Sequence, residues 1–275
     1  MNNLTFDSFD IVADYAIRGS RRRPGRAIDP EIRFVVAHDT GNPGASARAH
    51  AKWYRNDPNP PLDKISSAHI FVDHREIVET IPIFTGPPEQ ALHVLYNRPL
   101  DNQLYGFDAN RAAVGIELCY GGSIDAGEAY RRYAWTIAKT CRTFGLDPSR
   151  HVVGHQVLDP GRKDDPGQSL RQFGRSYEGL LRDVVDIYRE CLRSEGTQDD
   201  GAIGSGLIKA GEAETTVNLA VRDEPRRLGK SDHYMKPGTQ VTITEVMRGE
   251  MVHGNDIWCR IGEGKYCWSG GLKQI

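Results

Sequence analysis

The chain is organised around the segment His151-Val-Val-Gly-His155-Gln-Val-Leu-Asp-Pro-Gly-Arg-Lys163-Asp164-Asp165-Pro166-Gly167. Two Pro-Gly steps interrupt any continuous helix or strand, so the sequence predicts a loop of fixed, turned shape. Such a loop can aim several side chains at one point. Imidazole nitrogens and carboxylate oxygens are ligands that suit zinc. One histidine and one aspartate give two ligands, so a third must come from elsewhere in the chain.

The candidate for the third ligand is His38, in the segment Arg33-Phe-Val-Val-Ala-His38-Asp39-Thr40. A short apolar run that ends in a polar turn predicts a buried strand with the histidine at its end. His38, His155 and Asp165 would leave a fourth zinc position open, which is typical of catalytic rather than structural sites. Taken singly, each histidine is more commonly an ordinary loop residue than a metal ligand.

The combination of these motifs resembles a known family. A strand-end histidine, a later Gly115-Ile-Glu117, and a final Gly-His followed by Lys-x-Asp-Pro-Gly resemble the zinc-dependent N-acetylmuramoyl-L-alanine amidases. That family includes phage endolysins and peptidoglycan recognition proteins. The resemblance runs from about residue 10 to residue 188. It implies an α/β fold with a central mixed β-sheet flanked by helices, and a zinc ion held by His38, His155 and Asp165, although many relatives have Cys at the third position.

Two further residues are candidates for the chemistry. Glu117 is the one carboxylate in an apolar strand, and a buried glutamate is costly unless it is paired or used. The resemblance makes Glu117 the general base, and burial would raise its pKa towards a useful range. Lys163 lies two residues before Asp165, and the resemblance makes it the cation that stabilises an oxyanion; without the motif it would be a solvated charge. Spacing alone leaves open whether Asp164 or Asp165 binds zinc, and the resemblance favours the one directly before Pro-Gly.

Two more histidines are candidates for contacts with substrate. His69 follows Ser67-Ala68, which resembles the family's Ser-x-His, and the resemblance implies support of substrate or of a metal ligand. Many relatives have Tyr where this chain has Ala68, which removes one candidate catalytic hydroxyl. Ala91-Leu92-His93 resembles the family's Ala-Trp-His and would place His93 on the wall of the substrate cleft, as a possible oxyanion donor. An ordinary loop histidine is an equally good interpretation of His93.

Several other elements are predicted within the first 193 residues. Ala47, Ala51 and Tyr54 form the apolar face of a helix that ends near residue 56, with His50 as an ordinary helix residue. Apolar spacings predict two further helices, over 127–144 and 177–188, and a hairpin is predicted around residues 73–75. Residues 97–110 are rich in Asn, Asp, Gly and Tyr, which predicts a long surface loop. Arg21-Arg22-Arg23 predicts a solvated basic arm over the domain, with contact to an anionic wall polymer as the alternative.

The composition excludes some classes of protein. The chain has 275 residues and a formal net charge of −2, which gives no general attraction to nucleic acid or membranes. No apolar run is long enough to span a bilayer. The first ten residues lack a basic and then an apolar region, so no signal peptide is predicted. Five cysteines are an odd number and do not form a complete disulfide framework. Cys119, Cys141 and Cys191 lie in apolar surroundings that predict burial.

The last third of the chain changes character. Residues 194–206 are rich in Gly and acidic residues, which predicts a flexible linker over 194–213 between a catalytic domain, 1–193, and a small domain, 214–275. Short alternating strands with Gly-containing turns predict a small all-β barrel there. Its order resembles a bacterial SH3-like module, which implies binding of cell-wall peptides.

Aromatic residues and two cysteines are the candidates for function in this module. Trp258, Tyr266 and Trp268 could form an aromatic groove, although half of them could be core. We expect Trp258 and Tyr266 to contact the ligand. Cys259 and Cys267 are symmetric about the turn at residues 262–264, so they could face each other and cross-link under oxidising conditions.

The resemblance implies a peptidoglycan hydrolase that cleaves the amide between N-acetylmuramic acid and the L-alanine of the stem peptide. A phage-type endolysin, made in the cytoplasm and acting on the wall after release, fits both the predicted absence of a signal peptide and the binding module. The alternatives are a non-catalytic peptidoglycan recognition protein and a cytoplasmic amidase that recycles muropeptides. The expected cofactor is zinc and the expected partner is peptidoglycan. The sequence does not determine the oligomeric state, and a monomer is the default.

Overall fold

The computed structural model describes residues 4–96, 98–195, 208–226, 231–252 and 255–275. The first part of the chain contains a six-stranded sheet, and its strands follow the order β1-β4-β3-β5-β2-β6. β3 and β4 pair antiparallel, and the other neighbours pair parallel, so the sheet is mixed as predicted. The strands are β1 (Ile11–Ala13), β2 (Phe34–Asp39), β3 (Ile70–Val72), β4 (Ile77–Glu79), β5 (Ala113–Leu118) and β6 (Val152–Gly154).

The helices cover both faces of this sheet, which is why β2 is buried along its whole length. Val35 and Ala37 face the core formed with α4 and α7, whereas Phe34 and Val36 pack in a second core with α3 and α5. A third core, with Ala51 of α1, covers β3 and β4. The helices are α1 (Ala47–Asn56), α2 (Pro99–Tyr105), α3 (Ala109–Ala112), α4 (Ala126–Thr143), α5 (His155–Leu158), α6 (Gly167–Gln172) and α7 (Tyr177–Ser194).

The three long helices begin at side-chain caps. Ser46, Asp125 and Ser176 each accept a hydrogen bond from a backbone N–H three residues later, which satisfies one free donor of the first turn. The predicted apolar stripes of α1 and α4 are buried. The predicted hairpin is also confirmed, because β3 and β4 pair antiparallel around residues 73–75.

The prediction of a long loop over residues 97–110 is wrong. Residues 99–105 form α2 and residues 109–112 form α3, while Asn97 lies outside the described residues. Pro99 suits the first position of α2, and Gly106 ends α2 in the left-handed region, with φ of 79°. Asp108 then caps α3. Tyr105 stacks on Phe34 with 4.0 Å between ring centroids, so tertiary packing fixes a segment whose polar composition predicted a loop.

The prediction of a solvated basic arm is also wrong, because two of its arginines are buried. Arg22 is 1% exposed and Arg23 is 9% exposed. Arg22 donates to the carbonyl of Asp57 (2.6 Å) and to the carbonyl of Ser66 (2.7 Å). Arg23 forms a two-point ion pair with Glu89, at 2.7 and 3.0 Å. These buried pairs fasten the segment to the domain, which a solvated arm would not require.

The last third of the chain is all-β. It contains a three-stranded sheet in the order β10-β7-β14 and a five-stranded sheet in the order β11-β12-β13-β8-β9, around a separate apolar core. The strands are β7 (Gly211–Thr215), β8 (Leu219–Arg222), β9 (Ser231–Met235), β10 (Gln240–Ile243), β11 (Glu245–Val252), β12 (Asn255–Gly262), β13 (Lys265–Trp268) and β14 (Leu272–Gln274). Most of the predicted linker, 196–207, lies outside the described residues, and β7 begins within its last part.

The hairpin of β12 and β13 has the predicted register, in which Cys259 lies opposite Cys267. Both are free, buried thiols in the structure. Cys119, Cys141 and Cys191 are buried free thiols as well, in agreement with their apolar surroundings. Among the described residues, no helix has the length and apolar character to cross a bilayer.

Candidate metal centre and its cleft

Three side chains from distant parts of the chain converge at one end of the sheet. His38 lies near the end of β2, His155 begins α5 directly after β6, and Asp165 precedes Pro166 and α6. Nδ1 of His38 lies 2.9 Å from Oδ2 of Asp165, and Nδ1 of His155 lies 3.1 Å from the same oxygen. One ligand atom of each residue lies within 4.8 Å of the other two. The predicted convergence of these three residues is therefore present.

The donor set fits a divalent metal ion. Two imidazole nitrogens and one carboxylate oxygen are ligands that zinc accepts. Ligands held at about 2.0–2.1 Å in a tetrahedron are roughly 3.3 Å apart, close to the two distances from Asp165. Three protein ligands leave a position for water or substrate, as catalytic sites require. His38, His155 and Asp165 could therefore hold a metal ion without rearrangement of the backbone.

The protonation states also suit a metal ion. Burial lowers the pKa of His38 to about 4, although the hydrogen bond with Asp165 works in the opposite direction. Burial alone would raise the pKa of Asp165, but the hydrogen bonds with His155 and His38 outweigh it and hold that pKa below its ordinary value. At neutral pH the site therefore offers a neutral imidazole on His38 and an ionised carboxylate, which are the forms that bind metals.

The backbone around the three residues is held by specific contacts. The N–H of Ser169 in α6 donates to Oδ2 of Asp39, 2.9 Å, and ties the end of β2 to the loop. The N–H of Gln156 donates to the carbonyl of Asp165, 3.0 Å, across the turn. The N–H of Gly154 donates to the Tyr177 hydroxyl, 2.8 Å. Strand end, turn and helix are thus joined around the metal centre.

His93 lies behind His38. Its Nδ1 is 3.0 Å from Nε2 of His38, and its ring is 8% exposed at the cleft. Asn110 of α3 accepts from the backbone N–H of His93, 2.8 Å, and holds the segment. Gly115 lies directly beneath the ring, where a Cβ atom would be 2.7 Å from Cγ of His93. Nε2 of His93 is buried and has no hydrogen-bond partner among the described residues.

His69 occupies a different environment. Its side chain has no exposed surface. Nδ1 accepts from the N–H of Gly115, 3.0 Å, and Nε2 lies 2.9 Å from the carbonyl of Glu89, to which it donates. Because backbone groups satisfy both nitrogens, the ring can position β5 and the segment of His93, but it has no atom left for direct contact with substrate.

Glu117 faces the metal centre from the neighbouring strand. It pairs in register with His38 across β5 and β2, and its carboxylate lines the same cleft. Burial raises the pKa of Glu117 well above its ordinary value, and the charges of Asp165 and Asp39 raise it further. Oε2 of Glu117 is buried without a partner among the described residues. A carboxylate in this state readily accepts a proton.

Lys163 lies in the same cleft, which has a volume of about 450 Å³. The lining of the cleft also includes Arg162 and Gln168, together with the carboxylates of Asp39, Glu117, Asp164 and Asp165. Asp164 is exposed and pairs with Arg171 at 2.6 Å, so it lies on the solvent side of the loop.

Sequence reasoning missed the cavity next to this cleft. His50 of α1 is 6% exposed and stacks on Phe71, with ring centroids 4.7 Å apart. With Trp53 and Tyr54 it lines a second cavity that reaches Glu117. A signal was present in the sequence, because His50 follows Ala47 by three residues and precedes Tyr54 by four, which places it on the buried face of the helix.

The aromatic candidates of the all-β part differ from one another. Trp258 is 1% exposed, and its Nε1 donates to the carbonyl of Glu250, 2.8 Å, so it is a core residue with no surface for a ligand. Tyr266 is partly exposed, and its hydroxyl accepts from Arg260 at 3.0 Å. Of the two, Tyr266 has the side chain that a ligand could reach.

Comparison with known proteins agrees with this geometry. Residues 28–168, slightly more than half of the chain, match the Amidase_2 family, described as N-acetylmuramoyl-L-alanine amidase. The chain belongs to the N-acetylmuramoyl-L-alanine amidase family. The matched residues include His38, Glu117, His155 and Asp165, so the candidate metal centre lies entirely within the matched range.

Several members of the amidase family are similar to this chain. The amidase XlyA of Bacillus subtilis is 32% identical over 213 residues, 77% of this chain and 58% of XlyA. A probable N-acetylmuramoyl-L-alanine amidase of Bacillus licheniformis is 30% identical over 197 residues, 68% of this chain and 51% of the relative. The chain thus spans between half and three fifths of the length of these curated relatives.

Solved structures share the amidase fold. The hydrolase AmiA of Staphylococcus aureus, solved in complex with its ligand, has a TM-score of 0.52 at 22% identity, and the match covers 71% of this chain and 89% of AmiA. A mutant endolysin from Bacillus subtilis has a TM-score of 0.50 at 24% identity, covering 64% of this chain and 99% of the endolysin structure. At these identities the likeness establishes the mixed α/β fold.

Proposed function

We propose that this chain is a zinc-dependent N-acetylmuramoyl-L-alanine amidase that cleaves the amide between N-acetylmuramic acid and the L-alanine of the stem peptide. One observation carries the proposal: His38, His155 and Asp165 converge beside the partnerless carboxylate oxygen of Glu117 in one cleft. Membership of the amidase family and the names of its relatives support the substrate.

In this mechanism the three ligands hold zinc, which when bound supplies Lewis acidity that polarises a carbonyl and lowers the pKa of water. Glu117 takes the proton from the attacking water on its carboxylate and returns it to the nitrogen of the leaving L-alanine. Its raised pKa suits both steps, because the group must accept a proton and later release it.

Negative charge develops on the carbonyl oxygen as water attacks, and the cleft contains groups that can stabilise it. Lys163 supplies a positive charge in the same cleft. His93 has a free Nε2 and is a candidate second donor. His69, with both nitrogens bonded to the backbone, is proposed as a positioning residue for His93 rather than a substrate contact.

The proposed domain organisation is a catalytic domain over residues 1–193, a linker over 194–213 and an SH3-like wall-binding module over 214–275. The eight strands that the structure describes between residues 208 and 275 support such a module. Its proposed ligand is peptidoglycan, with Tyr266 as the accessible aromatic contact. An endolysin that acts on the wall after release combines this module with the amidase, and a monomer suffices for both.

The two other candidate functions are less well supported. A non-catalytic recognition protein has no use for a complete ligand set together with a high-pKa carboxylate. A cytoplasmic recycling amidase has no use for a wall-binding module, since its substrates are small and soluble. Both alternatives predict no release of L-alanine amino termini from intact walls.

Purified walls distinguish these functions. The protein is expected to release free L-alanine amino termini and unsubstituted muramic acid lactyl groups in equal amounts, and a chelator is expected to abolish both, with recovery on addition of Zn²⁺. Glu117→Gln is expected to retain bound metal but to lower turnover by about 100- to 10,000-fold. New reducing sugar ends in place of amino termini would contradict the proposal.

A further inference from the structure

Asp159 is a fully buried carboxylate in the turn that follows α5. Its side chain has no exposed surface, and the proposed mechanism gives it no role. A buried carboxylate is costly unless charged or polar groups pair with it. Asp159 lies four residues after His155 and four residues before Lys163. The groups that hold Asp159 therefore bear on the placement of both residues.

Two arginine side chains pair with this carboxylate. Nη1 of Arg98, directly before α2, lies 3.1 Å from Oδ1 of Asp159. Nε and Nη2 of Arg162 both contact the other oxygen, Oδ2. The side chains of Arg98 and Arg162 are 36% and 45% exposed, so each cation keeps part of its surface in water. Charge-assisted contacts of this kind fix the direction of a guanidinium.

The backbone of Asp159 closes the turn towards Lys163. The N–H of Asp159 donates to the carbonyl of His155, 3.0 Å, and the carbonyl of Asp159 accepts from the N–H of Lys163, also 3.0 Å. Gly161 turns the chain between them with a φ of 82°, which favours glycine. Asp159 therefore connects a candidate metal ligand to the proposed cation of the oxyanion site.

Arg162 is the second cation in the lining of the metal cleft. It lines the cleft with Lys163 and with the carboxylates of Glu117 and Asp165. A guanidinium without a fixed partner is attracted to a nearby carboxylate, and this attraction is stronger where water is partly excluded. Because Asp159 holds Nε and Nη2 of Arg162, this cation is kept on a buried carboxylate instead of on the groups that the proposed mechanism uses.

Arg98 extends the arrangement to a second segment of the cleft. It lies five residues after His93, whose backbone N–H donates to Asn110. Since Arg98 and Arg162 share one carboxylate, Asp159 joins the segment of His93 to the turn of Lys163. Both segments carry groups that the proposed mechanism places at the developing oxyanion.

We propose that Asp159 is a positioning residue for the reaction, which restrains the guanidinium of Arg162 and fixes the turn from which Lys163 acts. This role rests on the proposed function, in which Lys163 stabilises the oxyanion. Asp159 does not contact the reacting atoms, because its carboxylate is fully buried and paired with two arginines. Its effect on turnover therefore passes through Lys163.

Asp159→Asn removes the charge and keeps the size of the side chain. It is expected to lower kcat on a soluble muramoyl peptide by about 10- to 100-fold, with a smaller change in KM and unchanged bound zinc. In a Lys163→Ala background the same substitution is expected to lower kcat by less than about threefold, because the cation that it positions is already absent. Hydrogen exchange of the Lys163 backbone N–H is expected to be at least about tenfold faster in Asp159→Asn.

Arg162→Gln separates a misplaced cation from a missing one. It changes a 45%-exposed side chain, so it remains informative if Asp159→Asn fails to fold. It is expected to lower kcat by less than about fivefold, and its addition to Asp159→Asn is expected to restore kcat by at least about threefold. Glu128→Gln is the matched control, because Glu128 also pairs with two arginines, Arg131 and Arg132, and lies outside the lining of the cleft.

Three results would overturn the proposal in a protein that hydrolyses the muramoyl peptide. Losses in kcat that multiply when Asp159→Asn and Lys163→Ala are combined would show a merely structural residue, and so would unchanged exchange of the Lys163 N–H. A loss in Arg162→Gln as large as that in Lys163→Ala would show that Arg162 acts itself. No hydrolysis by the unmodified protein would reject the amidase, and this role of Asp159 with it.

Discussion

His38 and Glu117 are direct partners in the parallel pairing of β2 with β5. Partners in this register project from the same face of a sheet, so a candidate metal ligand and the partnerless carboxylate lie side by side on two largely buried strands. The relative placement of the two groups is fixed by backbone hydrogen bonds rather than by a loop. The loop has only to bring His155 and Asp165 to that fixed point.

The first prediction concerns the neighbouring aspartates. Asp165→Asn is expected to weaken zinc binding by at least about 100-fold, because loss of outer partners alone costs about 10- to 100-fold. Asp164→Asn is the matched control: its exposed side chain pairs with Arg171, and exposed pairs contribute about 0–1 kcal/mol. Metal content and zinc titration of both variants, with wall hydrolysis, check the assignment. Weakened zinc binding in Asp164→Asn alone would reverse it.

The second prediction concerns Lys163. If its charge stabilises the oxyanion, Lys163→Ala is expected to lower kcat by about 100- to 1,000-fold with a smaller change in KM and no change in bound metal. Lys273→Ala, an exposed lysine of β14, is the control. Steady-state kinetics on a soluble muramoyl peptide separate the two constants. A rise in KM with unchanged kcat would assign Lys163 to the binding of the stem peptide.

The sequence predicted the metal centre because its chemistry lies in local patterns. His38 ends an apolar run, Glu117 interrupts one, and Asp165 precedes a Pro-Gly step. Each of these features is visible within a few residues. The motifs and the resemblance together predicted that His38, His155 and Asp165 converge, and the structure brings these candidate ligands together.

Tertiary packing explains what the sequence did not predict. Arg22 lies in a basic segment whose composition predicts a solvated arm, but it donates hydrogen bonds to the carbonyls of Asp57 and Ser66 in distant segments. Tyr105 lies in a polar segment, yet it stacks on Phe34 of the central sheet. His50 lines a cavity with Phe71 and Glu117, and the helical spacing that predicts burial of His50 does not contain these partners from other strands.

The third prediction concerns acid stability. Burial lowers the pKa of His69 to about 4 from 6.5, although its bond to the Glu89 carbonyl opposes the shift. In the unfolded chain, His69 therefore binds a proton below about pH 6.5, whereas in the folded chain it does so only near pH 4. The contribution of His69 to the free energy of unfolding is therefore fully present above pH 6.5 and is lost as the pH falls towards 4. Between pH 7 and pH 5 the loss from this group is about 2 kcal/mol.

His69→Gln tests that acid sensitivity. The variant is expected to be less stable at pH 7 by about 1–3 kcal/mol, because a buried backbone group loses its partner. Its further loss between pH 7 and pH 5 is expected to be smaller than that of the unmodified protein, as measured by urea unfolding at both pH values. His233→Gln, on an exposed side chain of β9, is the control. The same loss in His69→Gln as in the unmodified protein would show that His69 does not titrate in this way.

The fourth prediction concerns the five cysteines. All five are buried free thiols, and Cys259 lies opposite Cys267 without a bond between them. A thiol reagent is expected to react slowly with the folded protein and to titrate five thiols after denaturation without reductant. A count of three would show that the paired cysteines of β12 and β13 had cross-linked. A Cys259→Ser variant would then titrate four.

The last prediction concerns the space beneath His93. A Cβ atom at Gly115 would lie 2.7 Å from Cγ of His93 and 2.8 Å from Nδ1, so replacement of Gly115 must shift this ring, whose Nδ1 lies 3.0 Å from Nε2 of His38. Gly115→Ala is expected to cost about 1–3 kcal/mol of stability and to lower turnover. Gly127→Ala is the matched control, since its Cβ atom would meet nothing closer than 3.5 Å at the start of α4, and it is expected to gain about 0.4–1 kcal/mol. If Gly115→Ala retained full activity despite its lower stability, the contact between His93 and His38 would have no part in catalysis.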